Sequence, residues 1–319
     1  MKSLLVIQPF ALGEIVHGLQ VVQSLAWARP DCRITWVVSE EFADLVQASP
    51  YVRETIVFSQ RAGWGAFLAL RRKLEIKMFD AVWDMAGVPR TGLLTSAVKT
   101  LEKWGRADAR GFSGYFYNRR VALPTGPGPH HALDILQAFL RAAGVPQRLY
   151  FPIELKPAGT TYPWEELFSG DPRNTFVVFP DKRTKDQAWP YYSELTAFIL
   201  EKVPDSRIVW CAEEKIQPSC SMPAPRFSNL TGCPLAEMIA LVRQPATYVG
   251  KESGAMHLSA AAGNPVLALF GGASDPRVTG PYPVDATKHR AVPAPDGRWD
   301  KLQPAVVLAA LEELRLRTL

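Results

Sequence analysis

Residues 247–270 read TYVGKESGAMHLSAAAGNPVLALF. The run divides into a β-branched and aromatic strand from Thr247 to Gly250, a polar turn, a helix of small and apolar residues from Gly254 to Ala262, and an apolar strand from Val266 to Phe270. That order is one strand-helix-strand crossover, the unit from which parallel sheets are built. The helix start carries Lys251, Glu252, Ser253 and His257 around an otherwise apolar segment. Ser-Gly alone is ordinary capping chemistry, but a cap does not require that polar cluster. Free amides at such a helix N-terminus form a ready site for phosphate oxygens.

The same rhythm extends in both directions. The N-terminal half reads as strand Leu4 to Gln8, helix Glu14 to Ala28, strand Arg33 to Val38, helix Glu41 to Gln47, strand Glu54 to Phe58, helix Gly65 to Ile76, strand Phe79 to Asp84 and a closing helix from Ala132 to Ala143. Trp104 to His131, rich in Gly, Pro and aromatics, reads as irregular, and a proline-bearing linker runs from Phe151 to Arg173. The rhythm restarts with strand Thr175 to Phe179, helix Tyr191 to Lys202, strand Arg207 to Cys211 and helix Pro234 to Val242. The last helix, Pro304 to Leu316, is long enough to pack back on the N-terminal lobe. The expected architecture is α/β, with two Rossmann-like lobes, 1–155 and 156–319, facing a cleft and binding ligands at strand carboxyl ends.

Composition excludes several classes. The chain has 319 residues, 47% hydrophobic and 21% charged, which removes disordered, collagenous and small disulfide-framework classes. The most apolar stretch, Leu258 to Ala273, is broken by Asn264 and Pro265, so no membrane span is expected. Residues 1–7 are too short for a signal peptide, which makes the cytoplasm the expected compartment. Cys32, Cys211, Cys220 and Cys233 show neither a CxxC pair nor zinc spacing, which argues for reduced thiols and no structural metal. The formal charge of +5 is unevenly spread: residues 1–150 hold 18 Lys+Arg against 12 Asp+Glu, the remainder 18 against 19. A basic N-terminal half suggests an acidic partner, although no nucleic-acid motif accompanies it. GxGxxG, Walker A, GxSxG, HExxH and DxD motifs are all missing, so nicotinamide, P-loop, serine-hydrolase and zincin chemistries lose their main support.

Two further candidates sit where strands end. Ala11 to His17 joins the first strand to the first helix, with Gly13 permitting a tight turn and Glu14 at the helix start; a carboxylate there suits general-base work, or simply complements the helix dipole. Lys182, Arg183, Thr184 and Lys185 follow the first strand of the second lobe and could grip a diphosphate, or form a solvated loop. Glu213 and Glu214, after strand Arg207 to Cys211, could accept hydrogen bonds from ribose hydroxyls.

Taken in order, Gly13-Glu14 with His17, Asn229 to Gly232, Ser253-Gly254 with His257 and Leu258, Phe270-Gly271 and Asp275-Pro276 resemble glycosyltransferase family 9, the ADP-heptose:lipopolysaccharide heptosyltransferases. The resemblance spans nearly the whole chain, including Trp189-Pro190 and the helix that begins at His131. It implies a GT-B fold, inverting transfer without metal or cofactor, an acceptor site in the N-terminal lobe and a nucleotide-sugar site in the C-terminal lobe. On this reading Glu14 is the general base. Lys182, Arg183, Thr184, Lys185, Glu213, Glu252, Ser253, Gly254, Ala255, Met256 and His257 bind the donor, while Gly13, His17, Arg61, Arg119 and Arg120 serve the acceptor. The chain departs from the family at Glu14 and Glu252, where Asp is usual, and at Gln187, where a phosphate-binding Lys is common. The implied partners are ADP-heptose by preference and an anionic glycolipid, with peripheral contact at the inner membrane face and no nucleic acid. Two other readings remain: a related enzyme using another nucleotide-sugar, and a non-catalytic nucleotide-sugar-binding protein of the same fold.

Overall fold

In the computed structural model the described residues are 1–317 apart from 60, 62, 157, 158, 169, 182–187, 273 and 284–286. The chain divides into two compact units, Met1–Lys156 and Pro157–Leu319.

In the first unit the apolar run Ser3–Ile7 forms β1, whose Leu4, Leu5, Val6 and Ile7 are fully buried. A strand apolar on both faces needs helices on both faces, which is the condition of a parallel sheet. Those helices follow: α1 (Leu12–Ala28), α2 (Ala43–Ala48), α3 (Gly63–Glu75), α4 (Pro89–Ala97) and α5 (Ala132–Ala142). They alternate with β2 (Arg33–Ser39), β3 (Val52–Phe58), β4 (Ala81–Asp84), β5 (Glu102–Arg106) and β6 (Arg119–Val121). The sheet runs β3-β2-β1-β4-β5-β6 and every pairing is parallel. On one face Leu5, Ile7, Val37 and Ile56 pack with Phe67, Leu70 and Leu74 of α3 and Leu94 of α4. Alternation turns Leu4 and Val6 to the other face, where α1 and α5 pack together.

The second unit repeats the plan. Its strands are β7 (Thr175–Phe179), β8 (Arg207–Ala212), β9 (Phe227–Thr231), β10 (Thr247–Lys251), β11 (Val266–Phe270) and β12 (His289–Pro293). Its helices are α6 (Trp164–Leu167), α7 (Tyr192–Lys202), α8 (Leu235–Leu241), α9 (Gly254–Ala261), α10 (Pro276–Thr279) and α11 (Pro304–Arg317). The order is β12-β11-β10-β7-β8-β9, again parallel throughout. Two buried indoles find acceptors: Trp189 Nε1–H donates to the Leu302 carbonyl at 2.7 Å and Trp210 Nε1–H to Thr196 Oγ1 at 2.9 Å. The terminal helix α11 packs on α7, β11 and β12.

The sequence reading lacks α4, β5, β6, β9 and β12, and it treats Trp104 to His131 as irregular, where β5 ends and β6 lies. The cause is physical. β6, β9 and β12 are sheet edges, recruited by backbone pairing rather than by a fully apolar face. RRV in β6 and FSNLT in β9 therefore show no apolar run.

The carboxyl end of β4 carries a fully buried acid. Asp84 Oδ1 accepts the N–H groups of Ala86 (3.2 Å) and Gly87 (3.0 Å), and Oδ2 accepts the hydroxyls of Tyr117 (2.7 Å) and Thr95 (3.4 Å). Gly105 on β5 makes room for the phenol, since a Cβ there would stand 2.2 Å from the Tyr117 ring. Burial raises the Asp84 pKa from 3.8 to about 6, and the hydrogen bonds, which favour the anion, offset only part of that rise. The raised value fixes the sign of a pH effect. Below pH 4 the carboxyl is protonated in both states, and between about pH 4 and 6 the unfolded chain ionises first, so stability falls as pH rises through that window. The loss amounts to about 3 kcal/mol. Urea unfolding of the full chain and of Asp84→Asn at the two ends of the window checks this: the difference between them should change by that amount, and a pH-independent difference would contradict it.

Candidate active site

In the first sheet the strands wind away in opposite directions from β1 and β4, which opens a crevice at their carboxyl ends. Gln8, just past β1, lies there, with Glu14 in the first turn of α1. Gln8 Nε2 donates to Glu14 Oε2 at 2.6 Å, while the Gln8 carbonyl accepts from Trp36 Nε1 at 3.0 Å. The connecting loop is tied to β2, since the Pro9 carbonyl accepts Ser39 N–H (3.2 Å) and Ser39 Oγ–H (2.9 Å). The outcome is an exposed carboxylate on a fixed mount. The turn's left-handed residue is Ala11, with φ 62°; Gly13, expected to make the tight turn, lies inside α1 without a positive φ. A non-glycine residue held in that region stores strain, a feature that concentrates at working sites.

Arg106, at the carboxyl end of β5, joins this cluster, and the sequence reading does not single it out. Its guanidinium binds Asp108 through two bonds of 2.9 and 2.7 Å. Burial works against its charge, but Asp108, with the fields of Glu14 and Asp84, outweighs that and holds its pKa above the ordinary value. A guanidinium among Asp108, Glu14 and Asp84 leaves the cluster acidic on balance, which suits a polyhydroxyl ligand whose hydroxyls donate to the carboxylates.

The other expected acceptor-side residues scatter. His17 is buried one turn into α1, edge-on to His131 with centroids 5.5 Å apart. His131 Nδ1 accepts the Leu133 N–H at 3.1 Å as the cap of α5. Arg61 follows the carboxyl end of β3 and is exposed. Arg119 and Arg120 sit on edge strand β6, three strands or about 14 Å from β1. Arg119 pairs with Glu102 and lies over the Trp104 ring at 5.5 Å, and Arg120 donates to the Gly114 carbonyl at 3.2 Å.

In the second sheet the switch lies between β10 and β7. Lys251, the last residue of β10, spans it: buried Nζ reaches Asp181 Oδ2, just past β7, at 2.7 Å and lies 5.1 Å from the Trp299 ring centroid. Ser253 caps α9, with Oγ accepting Met256 N–H at 3.3 Å and its carbonyl accepting His257 N–H at 3.2 Å. The first-turn amides at Gly254 and Ala255 have no acceptor within the helix itself, as at any helix start. Glu252 is half-buried with its N–H on the Leu269 carbonyl at 3.1 Å, His257 is half-buried, Ala255 and Met256 are buried, and Glu213 is exposed past β8. Lys182, Arg183, Thr184, Lys185 and Gln187 lie outside the described residues. Among the described residues no three His, Cys, Asp or Glu side chains gather as a metal site, and no helix is long and apolar enough to cross a membrane.

The lipopolysaccharide core heptosyltransferase OpsX of Haemophilus influenzae is 27% identical over 294 residues, covering 88% of this chain and 82% of that protein. E. coli heptosyltransferase WaaC superposes with a TM-score of 0.77 in its ADP form and 0.73 with ADP-2-deoxy-2-fluoro heptose, at 20% identity and with 98% of this chain and 99% of that one covered. A glycosyl transferase family 9 structure from Veillonella parvula superposes at 0.80, with 17% identity and 99% and 97% coverage. These structures share the two-unit parallel fold, which is GT-B. The family model described as glycosyltransferase family 9 (heptosyltransferase) matches residues 67–297, from α3 to the turn after β12, and with most of its length so covered the chain belongs to glycosyltransferase family 9.

Proposed function

We propose that this glycosyltransferase moves a heptose from ADP-heptose to a hydroxyl of an anionic lipopolysaccharide-core acceptor, with inversion and without a metal. The observation that carries the reading is the Glu14 carboxylate, exposed at the first switch point and held at 2.6 Å by Gln8, in a chain of this family. The relatives' names support the donor and the pathway: one is a lipopolysaccharide core heptosyltransferase and another holds ADP or an ADP-heptose analogue. The first unit, residues 1–155 in the sequence reading, takes the acceptor, and the second, 156–319, takes the donor. Gly13 and the cations Arg61 and Arg106 belong to the acceptor side of this reading, with His17, Arg119 and Arg120 supporting that unit from behind.

The chemistry follows from the groups present. Glu14 accepts the acceptor hydroxyl's proton as that oxygen attacks the anomeric carbon from the face opposite the diphosphate. The bond from carbon to diphosphate oxygen breaks, and its electron pair leaves with the ADP. Negative charge growing on that oxygen meets the amides at the α9 start, Ser253 to Ala255, the Met256 N–H being taken by the Ser253 cap, and the cations Lys182, Arg183 and Lys185, with Thr184 as a hydroxyl donor. Glu213 receives the ribose hydroxyls, and Glu252 and His257 line the donor side. Lys251, already committed to Asp181, holds the two central strands in register beneath the site. The enzyme then works in the cytoplasm, peripherally at the inner membrane face where a glycolipid acceptor presents its sugars.

Glu14→Gln keeps the side chain's shape and one acceptor oxygen but cannot take a proton. It should lower kcat by about 10²-fold or more with donor affinity nearly unchanged. Glu14→Asp retracts the carboxylate by one methylene and should be slower than the parent if Gln8 sets the working distance. A Gln variant as active as the parent removes Glu14 from the mechanism and favours a different base. Turnover should also survive excess EDTA, because the charge of the leaving diphosphate is met by amides and cations of the chain itself; loss on chelation, restored by Mg²⁺ or Mn²⁺, would overturn the metal-free assignment.

A further inference from the structure

Helix α3 has two faces with opposite tasks. Phe67, Leu70 and Leu74 enter the core of the first unit. The outward face steps through Trp64, Leu68 and Arg72 at intervals of four and reaches Ile76 in the turn after the helix, a spacing that brings side chains to one side, with Met78 exposed beside them in the bridge to Lys99. Trp64 is 72% exposed, Ile76 80% and Met78 83%. Isolated apolar side chains on a surface need no explanation, but an aligned row of large ones marks a contact surface.

Charge identifies the partner. Arg72 lies in the stripe, and Arg71, Lys73 and Lys77 flank it. Glu75 answers Arg71 at 3.4 Å and Glu54 answers Lys77, whereas Arg72 and Lys73 are exposed and have no acidic partner among the described residues. Trp64 has a firm footing, since its ring stands edge-on to Phe67 with centroids 5.6 Å apart, and Phe67 is in turn capped by the Arg90 guanidinium at 5.5 Å. A surface indole, exposed aliphatics and flanking cations along one helix and the turn after it match a flat boundary that is apolar inside and anionic outside.

From this we infer that the α3 stripe is the surface by which the protein lies on an anionic lipid bilayer. The inference deepens the peripheral membrane placement proposed above and is independent of which sugar is transferred.

Flotation of the full chain with vesicles of phosphatidylglycerol and phosphatidylethanolamine in equal parts, and with phosphatidylcholine vesicles, tests it. The parent should float with the anionic vesicles and release them at high salt, since exposed charges are then screened. Trp64→Ser combined with Leu68→Ser and Ile76→Ser should weaken vesicle binding by about tenfold or more, and Arg72→Glu with Lys73→Glu should do so on anionic vesicles alone. The serine variant should keep the parent's melting temperature and its turnover on a delipidated, soluble acceptor. Absence of parent binding to anionic vesicles overturns the inference, as does binding unchanged in both variants. Self-association of the parent that the serine substitutions abolish would assign the stripe to a second copy of the chain. Failure of transfer chemistry in every arm would overturn the proposed activity and leave the flotation result to stand by itself.

Discussion

Parallel pairing is the constraint on which everything else rests. With every strand of both sheets running the same way, each must be left at its carboxyl end and the next entered at its amino end, so the chain must cross over the sheet between strands, through an α-helix at most of these crossovers but not between β5 and β6 or between β8 and β9. That rule explains why β1 and β7 are apolar on both faces and why polar side chains collect where strands stop. Backbone groups at those ends need partners and cannot find them in the sheet. Gln8, Asp84, Arg106, Asp181 and Lys251 all lie at or just past such ends. The two switch points, between β1 and β4 and between β10 and β7, then select which of these ends face open crevices.

Buried charge follows the same geometry. Lys251 and Asp181 join the two central strands of the second sheet, while Asp84, at the end of β4 in the central pair of the first, is held by hydroxyls and amides. Truncating one partner of such a group leaves the other desolvated, which typically costs about 3–5 kcal/mol for an ion pair. These groups give each crevice a rigid floor. Of the groups proposed to act, the Glu14 side chain is exposed and Gly254 at the α9 start is half-buried.

Central elements were legible in the sequence because burial writes periodicity into them. The strands at β1, β7, β10 and β11, and the helices α1 and α9, fall within one or two residues of their expected bounds. The edge strand β3 was legible from its β-branched run, whereas β6 and β9 were not, since Arg119 to Val121 and Phe227 to Thr231 join their sheets by backbone bonds while most of their side chains stay partly or fully exposed. Glu14 could be located from its place between a strand and a helix, but its partner Gln8 could not, because a turn shaped by Ala11 brings them together. Asp84 with Tyr117, 33 residues apart, and Lys251 with Asp181, 70 apart, are paired by strand order, which no local window contains. The basic excess of the N-terminal half is distributed over several places in the unit. Arg119 pairs with Glu102 and lies over Trp104, Arg106 pairs with Asp108 and Arg71 with Glu75, whereas Arg61 after β3 and Arg72 and Lys73 on α3 are exposed.

The central claim is that a sugar leaves a nucleotide diphosphate for an acceptor hydroxyl on this chain. The most direct measurement incubates the purified protein with ADP-heptose and a heptose-free lipopolysaccharide core, and follows ADP by chromatography and the acceptor by mass spectrometry. The account predicts ADP and an acceptor heavier by one heptosyl residue, formed in equal amounts, with the new linkage inverted at the anomeric carbon by NMR. ADP release without a heavier acceptor, or retention of the donor's anomeric configuration, would contradict it.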